Sequence, residues 1–139
     1  MTPEQVQLVK TSFASVLPIA ERAGMMFYDR LFELDPTLRP MFKGEMSEQN
    51  RALMRMIASA VNGLDRLETI VPTVQALGVR HAGYGVVDAH YQTVGEALLW
   101  TLQQGLGDGF TPEVAEAWTT AYDLLAGTMQ SAAREATRV

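Results

Sequence analysis

The sequence predicts an all-α single domain of six or seven helices. Apolar residues recur every three or four positions along most of the 139 residues, which is the spacing of amphipathic helices. Prolines and glycines fall between these periodic segments, where helices begin and end. No segment reads convincingly as a strand, an internal repeat or a linker. Residues 1–139 are therefore expected to form one domain, the usual unit for a chain of this length.

The first two helices are marked by prolines. Thr2-Pro3-Glu4-Gln5 is a capping box with proline at the first helical position, and Pro18 interrupts the helix that follows. A second helix is expected over about 19–34. Between Pro36 and Pro40 there is room for one short helix at most, over 36–42. The two apolar stripes are Val6, Val9, Phe13 and Val16, then Ala20, Gly24, Phe27, Leu31 and Leu34.

The third and fourth helices follow a polar corner at 43–46. Ser47 is the expected N-cap of the third helix and Asp65 that of the fourth, which glycines at 83 and 85 then end. Asn62-Gly63 is typical of a hairpin turn, but its flanks keep the helical period, so a strand is rejected. The two stripes are Leu53, Ile57, Ala60 and Leu64, then Ile70, Val74, Leu77 and His81.

The last two helices are separated by a glycine-rich segment at 105–109. Asp88 is the expected cap of the fifth helix, and Thr111-Pro112-Glu113 has the pattern of a new helix start. The final helix is expected to exceed about 20 residues, or roughly 30 Å. The stripes are Tyr91, Val94, Leu98, Leu102 and Leu106, then Val114, Trp118, Ala121, Leu125, Met129 and Ala132.

Composition excludes several classes of function. The chain has no cysteine, which rules out disulfides, thiolate metal sites, cysteine nucleophiles and covalent haem attachment. A Gly-x-Ser-x-Gly elbow, a phosphate loop and a dinucleotide fingerprint are absent. The net charge is -5 and the 11 basic residues are dispersed, which argues against nucleic-acid binding. With no apolar run near 18 residues and no signal peptide, a cytoplasmic protein without a membrane partner is expected.

Two histidines are the main candidates for chemistry. His81 lies on the apolar stripe of the fourth helix, where a histidine satisfied by one hydrogen bond is the commoner arrangement. The alternative is axial ligation of a haem iron by Nε2. The carbonyl of Leu77, four residues earlier, would then accept the Nδ1 proton and aim Nε2 away from the helix.

Taken together, the residues resemble the globin family, most closely bacterial single-domain haemoglobins and the haem domain of flavohaemoglobins. The resemblance covers essentially the whole chain and predicts a globin fold, a 3-over-3 helical sandwich of about six to eight helices. It rests on the ordered spacing of three segments: Phe27-Tyr28-Asp29-Arg30-Leu31-Phe32 with Asp35-Pro36 and Phe42; Gln49 with Leu53, then His81; and Val87, Tyr91 and Ala117-Trp118-x-x-Ala121-Tyr122.

The resemblance assigns roles to individual residues. His81 corresponds to the proximal ligand of haem b iron, and Phe42 to the aromatic that stacks on the porphyrin. Val87 corresponds to a residue at the porphyrin edge, and Tyr91 to a proximal-side tyrosine. The distal residues follow from the same comparison: Tyr28, Gln49 and Leu53. His90 matches no ligand position and is expected to face solvent or the propionate edge.

The implied function is reversible binding of O2, with NO and CO as further ligands. Tyr28 and Gln49 would supply two hydrogen-bond donors, predicting tight O2 binding. The alternative is a nitric oxide dioxygenase or nitrite reductase, which would depend on a separate reductase because the chain ends at Val139. In flavohaemoglobins a last-helix glutamate joins the proximal histidine and tyrosine, whereas Ala133 occupies that position here, which favours ligand binding over turnover. A helical interaction module without haem remains a third class, and a monomer or weak homodimer is expected.

Overall fold

The computed structural model describes residues 1–42 and 44–136, and within them the chain forms six α-helices joined by short turns. The helices are α1 (Pro3–Val16), α2 (Ala20–Leu34), α3 (Met46–Asn62), α4 (Leu67–Gly83), α5 (Asp88–Leu106) and α6 (Pro112–Ala136). Four 3-10 turns lie between them, at Leu17–Ile19, Pro36–Met41, Leu64–Arg66 and Gly107–Gly109. The predicted all-α class is confirmed.

The helices form two layers of three. The layer of α1, α3 and α4 packs across the layer of α2, α5 and α6, through the pairs α4 with α6, α1 with α6 and α2 with α3. Within the layers, α2 lies against α5, α5 against α6 and α1 against α3. This arrangement places the N-terminal part of α3 and the C-terminal part of α4 near the two turns, 36–41 and 84–87, that carry candidate site residues.

The main core lies where α1 and α6 meet α3 and α5. Trp118 is 4% exposed and packs at a tilt against Phe13, with ring centroids 6.2 Å apart. Its indole N–H donates to the Ser12 hydroxyl at 2.8 Å, so the one polar atom of the ring is satisfied. Burial of such side chains stabilises by roughly 1.5–3 kcal/mol each. This core fixes α1 and α6 independently of the candidate site.

The predicted N-caps of the first and last helices are confirmed, whereas the predicted caps of the helices between them are not. The Thr2 capping box is present, with Gln5 N–H donating to the Thr2 hydroxyl at 3.1 Å. The Thr111 hydroxyl accepts from Val114 N–H at 3.2 Å, as expected of an N-cap. Ser47, however, is not a cap, because α3 already begins at Met46.

Two aspartates expected as caps have other partners. Asp65 lies within the turn before α4 and pairs with Lys10 of α1 at 3.0 Å, and this bond lowers the pKa of its carboxyl group. Asp88 is the first residue of α5 and its carboxylate faces α6.

In the described part of the chain, no helix combines the length and apolar character needed to cross a lipid bilayer.

Candidate functional site

Three of the residues assigned by resemblance meet in one apolar cluster. Tyr28 of α2 is 7% exposed, and its ring lies edge-on to that of Phe42, with centroids 5.2 Å apart. Leu53 of α3 packs against the same cluster. Gln49 lies one helical turn before Leu53 and is half-buried. We call Tyr28, Phe42, Gln49 and Leu53 the distal group.

The hydroxyl of Tyr28 is a polar atom at the edge of this apolar cluster. Within residues 1–42 and 44–136 it makes no hydrogen bond, and its oxygen is not fully enclosed although the residue as a whole is 7% exposed. Burial raises the pKa of this phenol to about 12. The group therefore remains a protonated donor over the whole physiological pH range, available to an acceptor that enters the cluster.

Gln49 borders a groove on the outer side of α3. The groove has a volume of about 520 Å³, and the residues that line it also include the basic side chains Arg51 and Arg55. It is open to solvent and none of the residues that line it comes from α4. Every residue that lines the groove therefore belongs to α3, and one of them is Gln49 of the distal group.

The distal group depends on a close crossing of α2 and α3. A Cβ placed on Gly24 would lie 3.0 Å from the Cβ of Asn50, the residue after Gln49. Glycine at this position lets the two helices approach, which brings Tyr28, one turn further along α2, towards α3. Asn50 is itself buried at 7% exposure, and its Oδ1 has no partner among the described residues.

His81 has the geometry predicted from its helix. Its Nδ1 lies 2.8 Å from the carbonyl oxygen of Leu77, four residues earlier. Because a carbonyl can only accept, Nδ1 must carry the proton, and the neutral ring then presents the lone pair of Nε2 away from this bond. The half-buried imidazole is thus fixed in the tautomer that binds a metal through Nε2.

The corner after α4 holds Val87 close to the end of that helix. Gly85 has a φ of 93°, a left-handed conformation that favours glycine, and it turns the chain back. The N–H of Val86 donates to the carbonyl of His81 at 3.1 Å. Val87 follows in extended conformation with its side chain 56% exposed, an apolar surface beside the histidine. We call His81, Val87 and Tyr91 the proximal group.

Tyr91 is connected to α6 through Tyr122. The Tyr122 hydroxyl donates to the carbonyl oxygen of Tyr91 at 2.5 Å, and its ring lies over Gly95, where a Cβ would be only 2.9 Å from Cε2. Burial raises the pKa of Tyr122, and burial followed by the charge of Asp88 raises the pKa of Tyr91. Both phenols are therefore neutral donors at physiological pH.

The first turn of α5 has two further connections that the sequence did not reveal. The Asp88 carboxylate accepts from Gln130 Nε2 at 3.3 Å and from Arg134 at 3.4 Å, both on α6. His90, expected at the surface or propionate edge, is half-buried, and its Nδ1 accepts from the backbone N–H of Val87 at 3.1 Å. Glutamate or glutamine usually makes this last bond, so the residue pattern gave no signal.

The proximal group also depends on a close crossing of helices. A Cβ on Gly78 would lie 2.3 Å from the carbonyl oxygen of Met129 and 2.6 Å from its Cα. The backbones of α4 and α6 are therefore in direct contact, one turn before His81. The position of His81 relative to α6 is set by this contact.

The donor set fits haem and does not fit a metal held by protein ligands alone. Among the described residues there is no group of three or more histidine, aspartate or glutamate side chains arranged to hold a metal ion. A porphyrin supplies four nitrogen ligands itself, so one imidazole with a defined Nε2 is sufficient. The other needs are apolar surface and aromatic rings, which Phe42, Leu53 and Val87 provide.

Comparisons with known proteins agree with this geometry. The sequence profile of the Globin family matches residues 25–129. The Flavohemoprotein of Vibrio cholerae is 34% identical over 133 residues, which cover 91% of this chain and 33% of that protein. The Neuroglobin of Danio rerio is 32% identical over 136 residues, covering 88% of this chain and 86% of the relative.

The three-dimensional comparison gives the same result. A bacterial globin from Campylobacter jejuni superposes with a TM-score of 0.85 at 27% sequence identity, covering 97% of this chain and 98% of that one. The chain belongs to the globin family, and its fold is the globin fold. It spans about a third of the length of the flavohemoproteins it matches, 33% and 31% for those of Vibrio cholerae and Bacillus subtilis. Membership of this family implies haem and the binding of small ligands.

Proposed function

We propose that this chain binds haem b through His81 and reversibly binds O2, with NO and CO as further ligands. In this proposal Phe42, Leu53, Val87 and Tyr91 hold the porphyrin, and Tyr28 and Gln49 are the distal donors. Ferrous haem supplies an iron atom with one coordination position open to a diatomic ligand. The chain supplies the imidazole, the apolar enclosure and the donors. We also propose a cytoplasmic monomer or weak homodimer.

The observation that carries the O2 proposal is the hydroxyl of Tyr28, which has no hydrogen-bond partner among the described residues while its ring is packed in the aromatic cluster. Haem, when bound, would supply the iron that polarises O2, and the Tyr28 hydroxyl would donate a hydrogen bond to O2 more strongly than to the less polarised CO. A hydrogen bond to a charged acceptor contributes about 1.5–3 kcal/mol, which corresponds to a dissociation rate roughly ten- to a hundredfold lower. The raised pKa of Tyr28 keeps this donor protonated.

The second candidate is a nitric oxide dioxygenase or nitrite reductase that receives electrons from a separate reductase. It is favoured by the similarity to proteins named Flavohemoprotein. The proximal side argues for the ligand-binding role. Ala133 replaces the glutamate expected there by resemblance, and the nearby carboxylate of Asp88 is paired with Arg134. The N–H at Nδ1 of His81 donates to a neutral carbonyl. A carbonyl attracts this proton less strongly than a carboxylate would, so it raises the basicity of the imidazole less.

A visible spectrum tests haem binding directly. The purified chain reconstituted with haem should show a Soret band whose position changes on reduction and on addition of CO. His81→Ala should abolish the histidine-ligated spectrum, and added imidazole should restore it. His90→Gln is the matched control, because glutamine can still accept from the N–H of Val87, and it should leave the spectrum as in the wild type. A Soret band that His81→Ala leaves unaltered would contradict the proposal.

Measuring O2 dissociation beside NO consumption on one preparation separates the two candidate functions. A binding protein releases O2 slowly and consumes NO once per haem. An enzyme continues to consume NO when a reductant or a flavin reductase with NADH is supplied. Sustained turnover well above that of the reductase alone would favour the second candidate.

A further inference from the structure

The backbone N–H of Val87 has an unusual partner. Val87 is the N-cap residue of α5, and valine has no side-chain acceptor with which to cap the helix. The bond made by its own N–H goes to Nδ1 of His90 at 3.1 Å, while His90 N–H donates back to the Val87 carbonyl at 3.0 Å. The bond to Nδ1 is one half of a capping box, with an imidazole in place of a carboxylate or amide, while the return bond goes to a backbone carbonyl because valine has no side-chain acceptor.

Only the neutral imidazole can make this bond. Nδ1 accepts a hydrogen bond when it has a lone pair, and in the protonated ring both nitrogens are donors. A protonated His90 would also place a positive charge at the N-terminus of α5, the end where the helix dipole favours negative charge. Histidine changes its charge between about pH 5 and 8, so this cap is sensitive to pH in a way that a glutamine cap is not.

Among the described residues, the charged groups beside this turn include Asp35, Asp88 and Arg134. Asp35, at the start of the turn 36–41, interacts electrostatically with His90, and the hydroxyl of Thr37 holds it in the ionised form. Asp88 on the same turn is held by Arg134 from α6.

We infer that His90 is a positioning residue for the haem-contacting corner, holding Val87 in place when neutral and releasing it when protonated. His90 is connected to His81 through two consecutive backbone amides. The carbonyl of His81 accepts from Val86 N–H, and the next amide, that of Val87, is the one held by His90. Loss of the cap loosens the first turn of α5, which carries Val87 and Tyr91. The consequence for haem rests on the proposed function. The hydrogen bond between Val87 and His90 does not depend on whether haem is bound.

The test compares the full-length wild type with His90→Gln and His90→Leu. Glutamine at this position can accept from Val87 N–H and does not titrate, whereas leucine cannot accept. The first measurement is hydrogen exchange of the Val87 amide in the haem-free protein at pH 5.5 and 7.5, corrected for intrinsic exchange. Wild-type protection should fall about five- to tenfold at the lower pH, the size of a lost N-terminal cap. It should stay constant in His90→Gln and be low at both values in His90→Leu.

The second measurement is the rate of haem loss to an excess of an acceptor protein over the same pH range. The ratio of the wild-type rate to the His90→Gln rate cancels the contribution of His81 itself. This ratio should rise several-fold from pH 7.5 to 5.5, and His90→Leu should lose haem rapidly at both values. Equal pH dependence in the wild type and His90→Gln, or full protection of Val87 in His90→Leu at pH 7.5, would overturn the inference. A chain that binds no haem would fail only the second measurement, so the two failures are distinguishable.

Discussion

The distal and proximal groups are held together by different kinds of contact. The distal group is assembled by packing: Tyr28 is surrounded by the rings of Phe27, Phe32 and Phe42 at centroid distances of 5.1, 6.0 and 5.2 Å. The proximal group is assembled by hydrogen bonds between side chains and backbone atoms: His81 and Tyr122 donate to carbonyl oxygens, and His90 accepts from the N–H of Val87. Packing leaves the Tyr28 hydroxyl without a hydrogen bond among the described residues, whereas hydrogen bonds fix the direction of the His81 imidazole.

The two helix crossings behind these groups also differ. At the distal crossing, a Cβ on Gly24 would meet the side chain and backbone of Asn50 at 3.0 to 3.3 Å, a contact that small shifts can relieve. At the proximal crossing, a Cβ on Gly78 would meet the backbone of Met129 at 2.3 to 2.7 Å, and a backbone cannot rotate away. The proximal side is therefore expected to be the less tolerant of the two to added volume.

The largest effect is expected for Gly78→Ala. The added methyl group would force α4 and α6 apart and should destabilise the fold by about 2–3 kcal/mol, because overpacking outweighs the higher helix propensity of alanine. Urea denaturation measures this change. Gly83→Ala at the end of α4 is the matched control, since a Cβ at that position would have no neighbouring atom within 4 Å. Equal stabilities of the two variants would show that the proximal crossing is not tight.

The next effect concerns the raised pKa of Tyr28. The folded chain keeps this phenol protonated up to about pH 12, whereas the unfolded chain loses the proton near pH 10. Stability from this group is therefore fully present below about pH 10 and is lost as pH rises towards 12. The difference in unfolding free energy between wild type and Tyr28→Phe should fall by roughly 2 kcal/mol between pH 9 and 11.5. A constant difference would mean that Tyr28 is not buried as the packing indicates.

The smallest effect is expected for Tyr122→Phe. This substitution removes the donor to the Tyr91 carbonyl but keeps the ring against Gly95, so it should cost about 1 kcal/mol. Tyr84→Phe is the control, because Tyr84 is 67% exposed and its loss of a hydroxyl should change stability by less than about 0.5 kcal/mol. If the proximal side is held by hydrogen bonds, thermal denaturation will show a lower stability for Tyr122→Phe than for Tyr84→Phe. The O2 dissociation rate should change little in either variant.

The contacts that could be predicted from the sequence are local ones. The bond from His81 to the Leu77 carbonyl follows from helix geometry, and the Thr2 and Thr111 caps follow from residue type and spacing. The expected caps at Asp65 and Asp88 were wrong, because each carboxylate is taken by a partner distant in sequence, Lys10 and Arg134. The contact of Gly78 with Met129 is likewise long-range, and a glycine in a helix does not indicate what lies against it.

The most direct test of distal donation by Tyr28 is the O2 dissociation rate of Tyr28→Phe. Phenylalanine keeps the packing with Phe42 and removes only the hydroxyl, and Tyr91→Phe is the matched control on the proximal side. Tyr28→Phe is expected to release O2 at least several-fold faster, up to about a hundredfold, while its CO dissociation rate changes much less. Tyr91→Phe should stay within about twofold of the wild type. An unchanged O2 dissociation rate in Tyr28→Phe would contradict the central claim that the Tyr28 hydroxyl is the distal donor.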